Sequence, residues 1–518
     1  MKTVLEDRSV ATRPVRAHRA RRGWILDWRP EDTEFWADRG SRIAHRNLAF
    51  SILAEHVGLS VWSLWSVLVL FLGPEYHVDA PGRFLLTTAP ILTGAALRLP
   101  YMFGVARFGG RAWTTFCATT LLVPTVLTAI LLRPGVPYAV LLALAALAGA
   151  GGGTFASSMA NINAFFPKRQ KGRALGLNAG GGNVGVAAVQ LVGLLIFTTT
   201  GAHRPRLILA VYIPLVVLAA LGAYLGMDGL PIARTTRQAT REVIRNLHTW
   251  ILSALYVGTF GSFIGFSFAF GQVLQLRFAA RFPSPADAMY LTFLGPLLGS
   301  LARPVGGVIA DRFGGSRVTV AAFVTMTAAA VLVLVASWRT SLALFMVGFV
   351  ALFVVSGIGN GSTFALIPEV GRAQAARAGD ADQDGRARYL TSGIISAAGA
   401  AGAAGGALVT IAFRESFLLG GDGTLAYVAF IAYYLICLVL LWCCYGHPRA
   451  VHPGGPPASH RRQRGAGPRQ PGPRPGCGRI LHRVSGTGID AHSEYTSSQS
   501  RYQNDRGPLS VRNTRFPT

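Results

Sequence analysis

The sequence predicts an all-α membrane protein, with twelve transmembrane helices arranged as two pseudo-symmetric six-helix halves. Three observations predict it. Of the 518 residues, 51% are hydrophobic and only 14% are charged, where a soluble chain carries about a quarter charged residues, and the mean hydropathy is +0.40. Apolar runs recur at roughly 47–72, 84–104, 113–132, 138–163, 174–198, 207–227, 249–275, 288–310, 318–337, 341–367, 389–413 and 424–446, each near the ~20 residues that a helix needs to cross the hydrocarbon core. Parts of the first half also return in the second at a nearly constant distance.

That repeat orders the elements. "RLPYMFGVARFGG" begins at Arg98, and "RPVGGVIADRFGG" begins 205 residues later at Arg303. Without gaps, Arg98, Arg107, Phe108, Gly109 and Gly110 fall on Arg303, Arg312, Phe313, Gly314 and Gly315. "GGTFA" (Gly152–Ala156) returns as "GSTFA" (Gly361–Ala365), 209 residues on. Both distances match six helices, so the second span answers to the eighth and the fourth to the tenth. The expected layout is a basic N-terminal arm (1–46), a six-helix half (47–227), a linker (228–248), a second half (249–446) and a basic tail (447–518). The tail, with "RRQRGAGPRQPGPRPGCGR", cannot bury a core, which predicts disorder.

The net charge of +26 raises the question of a nucleic-acid partner, but its placement points to membrane topology. Alternate loops carry Lys168, Arg169, Lys171 and Arg173; Arg234, Arg237, Arg241 and Arg245; Arg372, Arg377, Arg386 and Arg388. The intervening loops carry one or two each, such as Arg133 or Arg339. By the positive-inside rule the arm, the linker and the tail face the cytoplasm. The polar, arginine-rich start shows no cleavable signal. The five cysteines (Cys117, Cys437, Cys443, Cys444 and Cys477) form no framework. No nucleophile–base set, metal cluster or cofactor fingerprint is present, so neither an enzyme nor a cofactor or metal site is expected.

Arg98 and Arg303 each fall near the middle or inner half of a span, where a charge costs about 2.5–3.5 kcal/mol on insertion scales. Acids within the helices are few: Glu55, Asp311 and Glu369. Pseudo-equivalent helices can point both arginines into one central cavity. Two guanidiniums there suit a planar oxyanion, which their forks engage through paired N–H···O bonds. This chemistry alone leaves the choice among small anions open. The glycine runs Gly151, Gly152 and Gly153, and Gly180, Gly181 and Gly182, with Gly359 and Gly361 opposite, predict close helix packing and a smooth path beside the cavity. Glu55 and His56 are the adjacent titratable pair deep in the first half. They can carry a coupling proton, or Glu55 can serve as partner to an arginine.

The motifs carry a resemblance. "GVIADRFGG" (Gly307–Gly315) resembles the loop motif of the major facilitator superfamily, with Asp311, Arg312 and Gly315 in its conformational positions; the first-half copy has Ala106 in place of the acid. "GGGTFASSMANINAFFPKRQKGRALGLNAGGGNVG" (Gly151–Gly185) resembles the signature of the nitrate/nitrite porter family, and "LYVGTFGSFIGFS" and "GNGSTFALIP" match the same family. The resemblance covers roughly 45–446. It implies alternating-access transport of nitrate and nitrite in the inner membrane, by exchange, with Tyr256, Phe260 and Phe155 lining the site and Asn183 as a polar contact. Rings above and below a flat anion would exclude water. The implied partners are the two anions and the lipid bilayer, with no nucleic acid and no obligate protein partner. Nitrate–proton symport, a carrier for another small or organic anion, and a membrane sensor or interaction protein stand as alternatives.

Overall fold

The computed structural model describes residues 23–201, 204–231, 237–282, 285–378 and 383–445. The first 22 residues, the expected tail with Cys477, and Arg234 lie outside them. Among the described residues the chain is helical, apart from an isolated parallel bridge between Trp24 and Gly229. Among the described residues, eleven helices are long and apolar enough to cross a membrane. We label them with the remaining long helix in chain order: α1 Thr33–Leu68, α2 Ala80–Phe108, α3 Gly110–Leu131, α4 Tyr138–Phe165, α5 Lys168–Thr200 and α6 Arg206–Gly226. The second series is α7 Leu247–Arg277, α8 Met289–Phe313, α9 Gly315–Trp338, α10 Leu342–Ala378, α11 Gln383–Gly420 and α12 Thr424–Tyr445. The helix outside the eleven is α2. It has 29 residues, but Arg98, three threonines and two prolines dilute its apolar run.

Several helices outrun their expected ends. α1 starts at Thr33 rather than 47, because Asp32 caps it: its Oδ1 accepts from the amides of Glu34 (3.0 Å) and Phe35 (3.2 Å). The inner part of the arm is thereby packed on the first half. Trp24 lies over Gly109, and the Glu31 carboxylate accepts from the Lys168 amide (2.9 Å), capping α5. α10 continues through Pro368 to Ala378, eleven residues past the expected stop at 367. A helix-interior proline removes one backbone bond, while the extension gains contacts: Gln374 exchanges hydrogen bonds with Asn246 at 2.6 and 3.1 Å. The linker is also partly helical (Arg237–Arg245), and its Glu242 pairs with Arg386 at 2.6 Å.

The repeat is visible in the backbone. Gly109 and Gly314 end α2 and α8 at φ +82° and +92°, and their amides donate to Val105 (2.9 Å) and Ala310 (2.8 Å). Their extended ψ places both turns where a side chain is strained. The halves meet along α2–α11, α5–α8 and α1–α7, tied by Thr88–Thr410 (2.7 Å) and by Gln190 donating to the Ser267 carbonyl (3.0 Å). Outward faces are apolar; on α6, Val217, Leu221 and Leu225 stand exposed at four-residue spacing, a lipid-facing stripe.

Candidate functional site

α2 places Arg98 at the seam between the halves, 1% exposed. Its Nε donates to the Gly152 carbonyl on α4 (3.1 Å) and its Nη1 to the Gly399 carbonyl on α11 (2.6 Å). Its guanidinium carbon lies 4.7 Å from the Phe155 ring centre, 5.0 Å from Phe260 and 5.4 Å from Trp62. α8 places Arg303, 4% exposed, with Nη2 donating to the Tyr256 hydroxyl (2.9 Å). Its guanidinium carbon lies 5.4 Å from Phe155, 5.7 Å from Phe260 and 5.2 Å from Phe364. The two arginines therefore share one pair of rings. Cation–π attraction and carbonyl acceptors soften the cost of burying both charges. One nitrogen of each fork, Arg98 Nη2 and Arg303 Nη1, is buried without a partner.

The aromatic layer is built by a local irregularity. Directly after Tyr256, α7 widens into a π turn, Val257–Gly261, a form that concentrates at functional sites. Tyr256 and Phe260 stack at 5.1 Å, 10° from parallel, and Phe260 lies 6.0 Å from Phe155 across the seam. A flat anion between two rings needs about 7 Å, twice a carbon contact of ~3.5 Å. In this conformation the rings close on each other, so a sandwich requires them to part.

Further buried polar groups on α5 and α10 also lack partners. Asn183 on α5 and Asn360 on α10 are each 1% exposed, with both side-chain polar atoms unpaired, as is the Thr363 hydroxyl. Asn183 lies one turn beyond Gly180, whose missing side chain faces Pro304 and the Ser300 carbonyl of α8. The predicted glycines lie chiefly at contacts between helices. A Cβ at Gly151 would meet the Gly58 carbonyl at 2.0 Å, and one at Gly361 the Arg303 carbonyl at 2.3 Å. At Gly152, Gly153, Gly181 and Gly359 it would meet Trp62, Tyr101, Ile52 and Thr259. At Gly182 it would meet the Glu55 carboxyl.

Glu55 and His56 part company. Glu55 is buried, with Oε2 accepting from Ser158 and from Asn178 (2.6 Å for the latter) and Oε1 unpartnered. It is within electrostatic range of Arg303 and Arg98. The His56 ring instead meets the Gly181 carbonyl through Nδ1 (3.2 Å). Asp311 and Arg312 lie exposed at the end of α8, away from the arginine layer, while Gly315 starts α9 against the backbone of Leu366.

The sequence reading missed Phe364, Trp62, Ser158 and Gly399. Phe364 had a signal: it is the repeat counterpart of Phe155, 209 residues on. The other three become site residues only through tertiary packing.

A family model described as Major Facilitator Superfamily matches residues 51–381. The chain belongs to the major facilitator superfamily. Among its relatives are the "Nitrate/nitrite transporter NarU" of Salmonella typhimurium, 38% identical over 82% of this chain and 96% of that one, and its namesake of Escherichia coli, 36% identical over the same shares. The "Probable nitrate/nitrite antiporter NarK2" of Thermus thermophilus is 36% identical over 67% of this chain and 83% of that one. Solved structures share the major facilitator fold at low identity. A D-xylose-proton symporter aligns with TM-score 0.57 and 13% identity over 77% of this chain and 96% of that one. The nucleoside transporter NupG aligns with TM-score 0.55 and 10% identity over 77% of this chain and all of that one.

Proposed function

We propose that this major facilitator carries nitrate and nitrite across the inner membrane by alternating access, exchanging one for the other, with both termini in the cytoplasm. The observation that carries the reading is the arginine layer. Two buried guanidiniums, one from each half, lie over the same two rings, and each keeps one unpaired nitrogen. The Tyr256 hydroxyl proton adds a donor beside Arg303, and the unpaired amides of Asn183 and Asn360 are further buried donors. A small planar oxyanion satisfies such an array with charge-assisted bonds, and a low-dielectric surround strengthens them. The names of the relatives supply the choice of nitrate and nitrite among such anions.

Transport follows from differential stabilisation. An anion that bridges Arg98 of the first half and Arg303 of the second lowers the free energy of the closed state more than that of either open state. Release to one side and capture from it then return the carrier. Purified protein in liposomes loaded with nitrite should take up labelled nitrate, and liposomes without a counter-anion should take up far less at equal pH on both sides. Absence of nitrate counterflow, with another organic anion carried instead, would overturn the reading.

A further inference from the structure

We propose that the groove between α8 and α9 binds one anionic phospholipid, whose acyl chain lies in the groove and whose phosphate meets arginines at its mouth. The proposal does not depend on which anion the arginine layer carries. α8 and α9 both pack against α10, and between them lies a groove of about 450 Å³. That volume falls in the range of small-molecule sites, roughly 300–1,000 Å³. Its walls are Ile309 and Phe313 of α8 and Val318 and Ala321 of α9, and α10 closes it with Val355 and Ile358. Phe313 and Ala321 are exposed at its rim. Along α9 it runs from Arg317 to Thr325, about 12 Å of helix. One leaflet of hydrocarbon is about 15 Å deep, half of ~30 Å, so a chain lying in the groove stays within one leaflet.

The internal repeat shows why this space is open. The positions 205 residues before Ile309, Phe313, Val318 and Ala321 are Gly104, Phe108, Trp113 and Phe116. There Trp113 stacks on Phe108 at 5.6 Å and 7°, and meets Phe116 at 5.4 Å. A Cβ at Gly104 would lie 2.1 Å from the Trp113 ring, so the indole itself fills the cleft between α2 and α3. In the second half Val318 stands for the indole and Ala321 for the phenyl ring. The volume those rings occupy in the first half is left to the bilayer.

The mouth of the groove selects the headgroup. Arg317 lines it and is exposed, and the Arg312 guanidinium carbon lies 5.3 Å from the Phe313 ring centre. With Asp311 beside them, the α8–α9 turn carries one net positive charge. A phosphodiester supplies one negative charge, and a guanidinium binds phosphate through two N–H donors. An ethanolamine headgroup would return an ammonium to this basic turn, whereas a glycerol headgroup brings hydroxyls alone. On the proposed topology the turn faces the cytoplasm, where each basic residue near anionic headgroups strengthens binding about fivefold. Behind the groove, a Cβ at Gly306 would lie 2.2 Å from the Ile358 carbonyl oxygen. A chain in the groove therefore braces α8, which carries Arg303, against α10.

Native mass spectrometry of the delipidated full chain in detergent tests this. The probes are phosphatidylglycerol, phosphatidylethanolamine with the same acyl chains, and glycerol phosphate as the bare headgroup. The wild type should hold one phosphatidylglycerol at least fivefold more tightly than phosphatidylethanolamine, and its melting point should rise as that lipid binds. Arg317→Gln should lower the phosphatidylglycerol affinity about fivefold. Ala321→Phe, which supplies the ring present at position 116, should remove the preferred binding. Phosphatidylethanolamine binding as tight as phosphatidylglycerol overturns the proposal. So does unchanged phosphatidylglycerol binding in Arg317→Gln, or in Ala321→Phe that melts like wild type without lipid. Displacement of the lipid by glycerol phosphate removes the acyl-chain site and overturns it too. If Ala321→Phe melts below wild type without lipid, Arg317→Gln decides, because its exposed side chain can change without disturbing the packing.

Discussion

The segment Gly151–Gly185 contains glycines that differ sharply in what a single methyl group would meet. At Gly151 a Cβ would lie 2.0 Å from the Gly58 carbonyl oxygen and 3.0 Å from the Trp62 amide nitrogen; at Gly185 it would lie 2.1 Å from the His56 carbonyl oxygen. Carbon and oxygen settle at about 3.3–3.6 Å. α1 must therefore move more than about 1 Å from α4 or α5, and the obstacle is backbone, which cannot turn aside. Overpacking of this kind costs about 1–3 kcal/mol. At Gly172 and Gly176, both within α5, nothing lies within 4 Å, and replacing a helix-interior glycine with alanine gains up to about 1 kcal/mol. Because that gain is common to all four helical positions, the two classes should separate by about 1–3 kcal/mol. Thermal unfolding in detergent should show Gly151→Ala and Gly185→Ala melting below wild type, with reduced nitrate flux in liposomes. Gly172→Ala and Gly176→Ala should melt at or above wild type and transport. If Gly151→Ala matches Gly172→Ala in both assays, the argument that these glycines set the helix spacing is wrong.

Arg98→Lys loses the planar fork and with it one of the two paired N–H···O bonds proposed to hold the anion; at about 1.5–3 kcal/mol per charged hydrogen bond, nitrate affinity should fall roughly tenfold to a hundredfold, measurable as half-saturation of counterflow. Arg303→Lys should fall in the same range. Phe364→Ala removes the ring 5.2 Å from Arg303 and 5.2 Å from Tyr256, and should weaken nitrate binding about as much as Phe155→Ala in the same assay. Asp422 precedes α12, and its Oδ1 accepts from the Thr424 amide at 2.9 Å, so Asp422→Ala should cost about 0.5–2 kcal/mol in thermal unfolding. Burial alone would raise its carboxyl, but the Thr424 hydroxyl and amide and Arg277 hold it below the usual carboxylate range. The stabilisation is then fully present above the unfolded-state value near 4 and fades as the pH falls through the lower folded value; a pH series of melting points on wild type and Asp422→Asn checks it.

What could be read from sequence was whatever a local rule exposes. Arg98 and Arg303 stood out because charge is rare in apolar helices, and their 205-residue separation placed them on equivalent helices before any coordinates. Helix ends were less legible. The chain before residue 47 is polar, so hydropathy could not announce that Asp32 caps a helix continuous with the first span. Pro368 read as a stop, although contacts to Asn246 sustain the helix beyond it. Within the site, Phe364 was available from the repeat itself, whereas Trp62 and the Gly399 carbonyl depend on helix crossings that no short pattern encodes. The role of Glu55 was ambiguous for the same reason: adjacency to His56 in sequence suggested a pair, but a helix turns successive residues about 100° apart, and the two side chains meet different neighbours.

The bond from Arg98 to the Gly399 carbonyl sets a condition on how tightly this protein can hold its cargo. At the proposed anion site Arg98 Nη2 is free but Nη1 is held by that oxygen, so a grip through both nitrogens must displace it, and on departure the oxygen reclaims the guanidinium. Release is thereby assisted from the opposite half of the molecule, as a shuttle requires and a storage protein would avoid. Because the competitor is main chain, no substitution at residue 399 deletes it. Selection for a tighter grip would have to act on helix position, and so on the motion that empties the site.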